Sequence, residues 1–179
     1  MGTMEDRTGV VTFKKKPVTL LGPEVRVGQR APDFKLVDPN MKEVTLAQTK
    51  GKIRLLSVVY SLETPICDIQ THTFEEEAAK NPGVVVYGVS MDLPFAQARY
   101  RDEHQVRKMT ILSDHRDASF GLAYGLLIKE MRLLARAVFI IDADDIVRYV
   151  EYVKEITQAP DYEKAIAALK DVASACLEA

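Results

Sequence analysis

The residue types able to do chemistry converge on one short stretch, Thr64-Pro65-Ile66-Cys67. A thiol is a nucleophile only as its thiolate, which needs positive potential close by. Threonine is a favoured N-cap and proline is favoured at the first helical position. The stretch therefore reads as a helix start with Cys67 as the third helical residue. The unpaired backbone N–H groups of a first turn carry partial positive charge and stabilise an anionic sulfur there. The Thr64 hydroxyl, three residues earlier, is expected to reach that sulfur or an oxygen bound beside it. A dithiol oxidoreductase would carry a second cysteine where Thr64 stands. This site can attack an oxidant but cannot close a disulfide at that spacing. The competing reading is that Cys67 is a small buried hydrophobe, as free cysteines often are.

The elements that must hold the stretch can be read on either side of it. Ile53 to Tyr60 is a mostly apolar run, like a strand covered on both faces. A helix is predicted from Pro65 to about Ala79, stopped by Lys80-Asn-Pro-Gly83. Further strands are predicted over 35–37, 84–89, 109–112, 137–141 and 147–153, and further helices over 94–105, 116–124 and 161–177. The last helix carries Tyr162, Ile166, Leu169, Val172 and Ala173 at helical spacing, and Cys176 continues that stripe. Asp142-Ala-Asp-Asp145 reads as a hairpin turn rather than a calcium loop. Thr12–Phe13 and Val18–Leu21 flank Lys-Lys-Lys-Pro, which reads as an N-terminal hairpin over about 11–22. The order gives an α/β domain with a mixed central sheet and helices on its faces, a class that includes the thioredoxin-like fold. With no repeat or composition shift, a single domain over 1–179 is expected.

Composition narrows the function classes. The chain is 47% apolar and 28% charged with net charge -2, an ordinary globular balance. That charge carries no nucleic-acid footprint. No apolar run approaches the roughly 18 residues needed to span a bilayer. The N-terminus lacks the apolar core of a signal peptide, so a cytoplasmic location is expected. Met4 is an alternative native start to Met1. Two cysteines are too few for a disulfide framework or a structural zinc site. His72, His104 and His115 show no ligand spacing and read as surface or packing residues. No metal and no cofactor is expected.

With these elements in place, the chain resembles the thiol peroxidase branch of the peroxiredoxins, from about Val11 to Lys170. Val27-Gly-x-x-Ala-Pro-x-Phe34 looks like the family's N-terminal signature, and Thr64-x-x-Cys67 matches its peroxidatic loop. Ser90-Met-Asp-Leu-Pro-Phe-Ala-Gln97 is a distinctive segment of this branch. Leu133-Leu-Ala-Arg-Ala-Val-Phe139 carries its second active-site element. The resemblance implies a thioredoxin-like fold with an N-terminal hairpin, usually as a homodimer. It implies reduction of hydrogen peroxide and organic hydroperoxides, with thioredoxin or another thiol as reductant. It makes Cys67 the peroxidatic cysteine, Thr64 a hydrogen-bonding partner of the peroxide, and Arg136 the group that holds the thiolate and polarises the O–O bond. A guanidinium suits that task because it donates several hydrogen bonds at fixed angles. Its bland alternative is a strand-end arginine reaching out to water.

Two positions depart from the family pattern. Tyr60 stands where the family has proline, seven residues before the peroxidatic cysteine. It either modifies the pocket or packs as an ordinary strand residue. Arg101 stands where a resolving cysteine is usual, so no disulfide can form with that helix. Cys176 is then a packing residue, a dimer contact or a late-acting resolving thiol. The simplest expectation is a one-cysteine peroxidase. The alternative is a peroxide-responsive redox sensor or a degenerate, non-catalytic scaffold.

Overall fold

The computed structural model describes residues 4–178, so the question of Met1 as the start lies outside the described residues. Ten strands and four helices follow in chain order among these residues. They are β1 (Asp6–Phe13), β2 (Lys16–Leu21), β3 (Lys35–Val37), β4 (Glu43–Thr45), β5 (Ile53–Val58), α1 (Pro65–Lys80) and β6 (Val84–Ser90). Then come α2 (Pro94–Glu103), β7 (Thr110–Ser113), α3 (Ser119–Ala123), β8 (Leu127–Ile128), β9 (Ala137–Ile141), β10 (Val147–Tyr152) and α4 (Tyr162–Glu178).

Seven strands form one mixed sheet in the order β10-β9-β5-β6-β7-β3-β4. The strands β5, β6 and β7 run parallel, whereas β9 pairs antiparallel with β5. The expected α/β, thioredoxin-like architecture with a mixed sheet is what the chain adopts. Every side chain of β5 is buried, which is why its run is almost wholly apolar. Leu56 and Val58 face a core shared with Phe34, Phe120, Tyr124 and Phe139. Leu55 and Val59 face a second core with Phe74, Val138, Ile140 and Leu169. Arg54 is the charged exception in β5. Its guanidinium is bonded to the carbonyls of Thr49, Lys52 and Asp142 and paired with Asp145, the left-handed residue of the β9–β10 turn.

The boundaries moved where backbone geometry outweighed pattern. The run expected to be strand through Tyr60 leaves the sheet at Val58, because Ser61–Thr64 must turn the chain into α1. The helix expected over 116–124 shortens to 119–123, since Ala118 sits in the left-handed region at φ 51° and cannot extend it. Strands β4 and β8, three and two residues long, are too short to show a period. The hairpin begins at Asp6 rather than near Val11. A register shift between Thr8 and Val11 and Gly9 at φ 75° interrupt the alternation that would have revealed it. Its turn is Lys14-Lys15, both at positive φ, so Lys16 and Pro17 already belong to β2.

The hairpin is latched onto the segment that follows β10. Thr12 N–H donates to Lys154 C=O at 2.7 Å, and Ile156 N–H donates to Thr12 C=O at 2.9 Å. The Glu155 carboxylate accepts from the backbone N–H of Lys15 at 2.6 Å and of Thr157 at 3.0 Å, and from the Thr12 and Thr157 hydroxyls. Desolvation alone would raise this carboxyl. The hydrogen bonds from Thr157, Lys15 and Thr12 outweigh it and hold the group at about 2, below its ordinary 4.5. A depressed carboxyl contributes stability that is fully present above its unfolded value and lost as pH falls through its folded value. The stability gap between wild type and Glu155→Gln is expected to hold from pH 7 down to about 5. It should then shrink progressively toward pH 2, as read by urea unfolding across pH.

Candidate active site

Between β5 and α1 the chain makes a braced turn. Ser61 Oγ donates to Asp92 Oδ1 at 3.1 Å, and Leu62 N–H donates to Asp92 Oδ2 at 2.9 Å. Asp92 is itself held: Ser90 Oγ donates to Oδ2 at 2.7 Å, and Ser113 Oγ donates to the Asp92 carbonyl at 2.6 Å. Gln97 Nε2 completes the set by donating to Ser90 Oγ at 3.0 Å. The segment Ser90–Gln97 thus fixes the loop that delivers Cys67.

Thr64 has extended backbone (φ -108°, ψ 148°), and Pro65 opens α1, so Cys67 is the third helical residue as expected. The Thr64 hydroxyl differs from expectation. It donates to Ser61 C=O at 3.1 Å, and among the described residues no hydrogen bond joins it to the Cys67 side chain. Its carbonyl closes the first turn by accepting from Asp68 N–H at 3.0 Å. Cys67 itself has no exposed surface.

Arg136 comes from the opposite side, one residue before β9, where the register sets Ala137 opposite Val58. It is fully buried, so the reading of a strand-end arginine reaching for water is excluded. Its Nη2 donates to Cys67 Sγ at 3.3 Å, its Nη1 to Gln70 Oε1 at 2.7 Å, and its Nε to Ile156 C=O at 2.9 Å. Tyr60 lies with its ring face 5.3 Å from the guanidinium carbon, within cation–π range. Phe13 of the hairpin packs edge-on against that ring, with centroids 5.8 Å apart. Tyr60 thus lies two residues beyond β5 with its ring against the guanidinium.

Gln70 is the member of the site that sequence reasoning missed. It is fully buried, and its amide nitrogen donates to Ser57 Oγ at 2.9 Å and toward Val58 C=O. The signal was present: Cys67, Gln70, Thr71 and Phe74 share the inward stripe of α1, and a glutamine there needs a buried partner.

The remaining candidates lie elsewhere. Arg101 is on α2, partly exposed and paired with Asp102 at 3.0 Å. Cys176 is exposed rather than part of a buried stripe, and lines an open cleft with Arg148 and Asp171. It stands fourteen residues along α4 from Tyr162, which packs against the core containing Cys67, or about 21 Å down the helix axis. A disulfide needs Cα atoms within about 7 Å. His72 and His104 are not independent surface residues. Both converge on Asp68, at 3.4 and 3.3 Å, although 32 residues separate them in sequence. Burial and the adjacent Asp68 carboxylate push the Tyr100 hydroxyl well above the ordinary tyrosine range.

The geometry is that of a redoxin: a thioredoxin-like sheet presenting one cysteine at the first turn of a helix. The family model for Redoxin matches residues 26–166. A thiol peroxidase from Halalkalibacterium halodurans is 57% identical over 160 residues, covering 89% of this chain and 96% of that protein. A thiol peroxidase from Bacillus subtilis is 53% identical over the same shares of the two chains. The crystal structure of a peroxiredoxin-like protein from Aquifex aeolicus superposes with a TM-score of 0.86 at 41% identity, over 96% of this chain and 99% of that one. The chain belongs to the redoxin family and, within it, to the thiol peroxidases.

Removing Gln70 leaves a buried, charged donor unpaired, which costs about 2 kcal/mol. Gln70→Ala is expected to lower unfolding stability by about that amount in urea titrations. It should also slow peroxide oxidation of Cys67 by roughly tenfold through looser placement of Arg136. Unchanged stability would show that Arg136 Nη1 finds another partner.

Proposed function

We propose that Cys67 is the peroxidatic nucleophile of this thiol peroxidase, that Arg136 acts directly on the reacting atoms, and that an external thiol completes the cycle. The chain is a peroxiredoxin-type enzyme that reduces peroxide at the expense of thiols. The observation that carries the residue assignment is the 3.3 Å contact between Arg136 Nη2 and Cys67 Sγ inside a fully buried pocket. In the first step the thiolate sulfur attacks the terminal oxygen of the peroxide. The S–O bond forms as the O–O bond breaks, and two electrons pass from sulfur to the departing oxygen. The products are a sulfenic acid on Cys67 and an alkoxide or hydroxide, which takes up a proton and leaves as alcohol or water. The guanidinium faces both the attacking sulfur and the developing negative charge, where fixed donors lower a barrier most.

Thr64 serves in this reading by shaping the turn and, when its hydroxyl rotates away from Ser61 C=O, by donating to the peroxide. The sulfenic acid is resolved by a thiol from outside the chain, such as thioredoxin. That thiol condenses with the sulfenic acid to give a mixed disulfide and water, and a second thiol then releases Cys67. Arg101 on α2 and the exposed, distant Cys176 support a one-cysteine cycle. Hydrogen peroxide and organic hydroperoxides are the substrates, and the whole chain acts as one domain. The exposed Ile69 on α1, Leu93 just before α2 and Phe95 on α2 support a homodimer. Among the described residues no helix is long and apolar enough to cross a membrane, and a cytoplasmic location fits the chain's ordinary charge balance.

Stopped-flow oxidation by hydrogen peroxide and by cumene hydroperoxide tests the assignment. Cys67→Ser is expected to abolish the reaction, and Arg136→Met to slow it by about 10²-fold or more. Cys176→Ser should retain full turnover with thioredoxin and its reductase. Mass spectrometry of the oxidised protein should show a sulfenic or sulfinic Cys67. An internal Cys67–Cys176 disulfide would overturn the one-cysteine reading.

A further inference from the structure

Three side chains outside the Cys67 pocket point their ligand atoms at one point. Asp68 and His72 lie four residues apart on one face of α1, and His104 follows the last turn of α2. His72 Nε2 is 3.4 Å from Asp68 Oδ1, His104 Nδ1 is 3.3 Å from the same oxygen, and the two imidazole nitrogens are 3.4 Å apart. The three atoms form a nearly equilateral triangle. A tetrahedral ion with bonds of roughly 2.0–2.1 Å sets its ligands ~3.3–3.4 Å apart. Adjacent ligands of an octahedral ion with bonds of about 2.1 Å stand only ~3.0 Å apart. We propose that Asp68, His72 and His104 form a tetrahedral binding site for a zinc-class divalent cation.

The surroundings are those of a supported site. The Tyr100 hydroxyl donates to Asp68 Oδ1, orienting the carboxylate. The Tyr100 ring stacks on His104 with centroids 4.1 Å apart and planes at 17°, which fixes the imidazole. Such supporting contacts hold ligands in place and are worth 10- to 100-fold in affinity. Asp68, His104 and Tyr100 also line a cavity of about 350 Å³ together with Glu63, Thr64, Pro65 and Glu103, which leaves room for water as the fourth ligand. All three ligating side chains are partly open to solvent, so an ion has a path in. Protons can bridge two of the three contacts, but two N–H groups aimed at one oxygen then face each other at 3.4 Å. One cation satisfies all three lone pairs at once.

The test is zinc binding to reduced protein, measured by competition with a chromophoric chelator, in a Cys67→Ser, Cys176→Ser background that removes thiol ligands. One zinc per chain is expected. His72→Ala and His104→Ala should each weaken binding by at least 100-fold, and Tyr100→Phe by roughly 10-fold. Cobalt bound to the wild-type protein should show the intense visible bands of a tetrahedral site without a thiolate-to-cobalt charge-transfer band. Circular dichroism and the peroxide reaction of His72→Ala, both expected at wild-type level, show that the variant is folded. Failure to compete with a chelator of micromolar affinity, binding that survives both histidine substitutions, or a thiolate band would each overturn the proposal.

Discussion

The structure is organised around one buried charge. A guanidinium removed from water costs several kcal/mol unless each of its donors is met and an anion or aromatic face lies against it. Arg136 meets that condition with groups drawn from three separate parts of the chain. Its donors reach Cys67 and Gln70 on α1 and the carbonyl of Ile156 after β10, and its face lies on Tyr60, two residues past β5. Placing one side chain therefore fixes where these elements stand relative to one another.

The same constraint explains why the hairpin matters to a site it does not enter. Glu155, the residue before Ile156, holds the Lys14-Lys15 turn, and Phe13 beside that turn holds the ring of Tyr60. The latch and the guanidinium share a three-residue segment. On the other side, Asp92 braces Ser61 and Leu62 and so sets the angle at which the chain enters α1. In the proposed reaction these supports hold Cys67 and Arg136 in one fixed geometry.

Much of this was legible in the sequence. The helix start at Thr64-Pro65, the buried run of β5 and the position of Cys67 follow from capping preferences and apolar patterning, which act locally. The partnership of Cys67 with Arg136 came from resemblance, since 69 residues separate them and no local rule joins them. Gln70 was readable in principle as a polar residue in an apolar stripe. The role of Tyr60 was not, because whether a tyrosine covers a cation depends on what lies across from it. The convergence of His72 and His104 on Asp68 was hidden for the same reason. It depends on how α1 packs beside α2, and composition and spacing along the chain carry no record of that packing.

The contact between Arg136 and the sulfur is also a sensor of what the sulfur has become. A thiolate gives the buried guanidinium an anionic partner, whereas a neutral sulfenic acid offers only a dipole. In the proposed cycle, oxidation of Cys67 would withdraw part of what keeps the first turn of α1 docked. Redox state and local opening are then two sides of one thermodynamic cycle, with oxygen on sulfur acting as a ligand for the open form. A weakening of about 1.4 kcal/mol makes the open form ten times more populated. In the proposed cycle, the enclosure that shelters the sulfur before reaction would become, by the reaction itself, easier for a reducing thiol to enter.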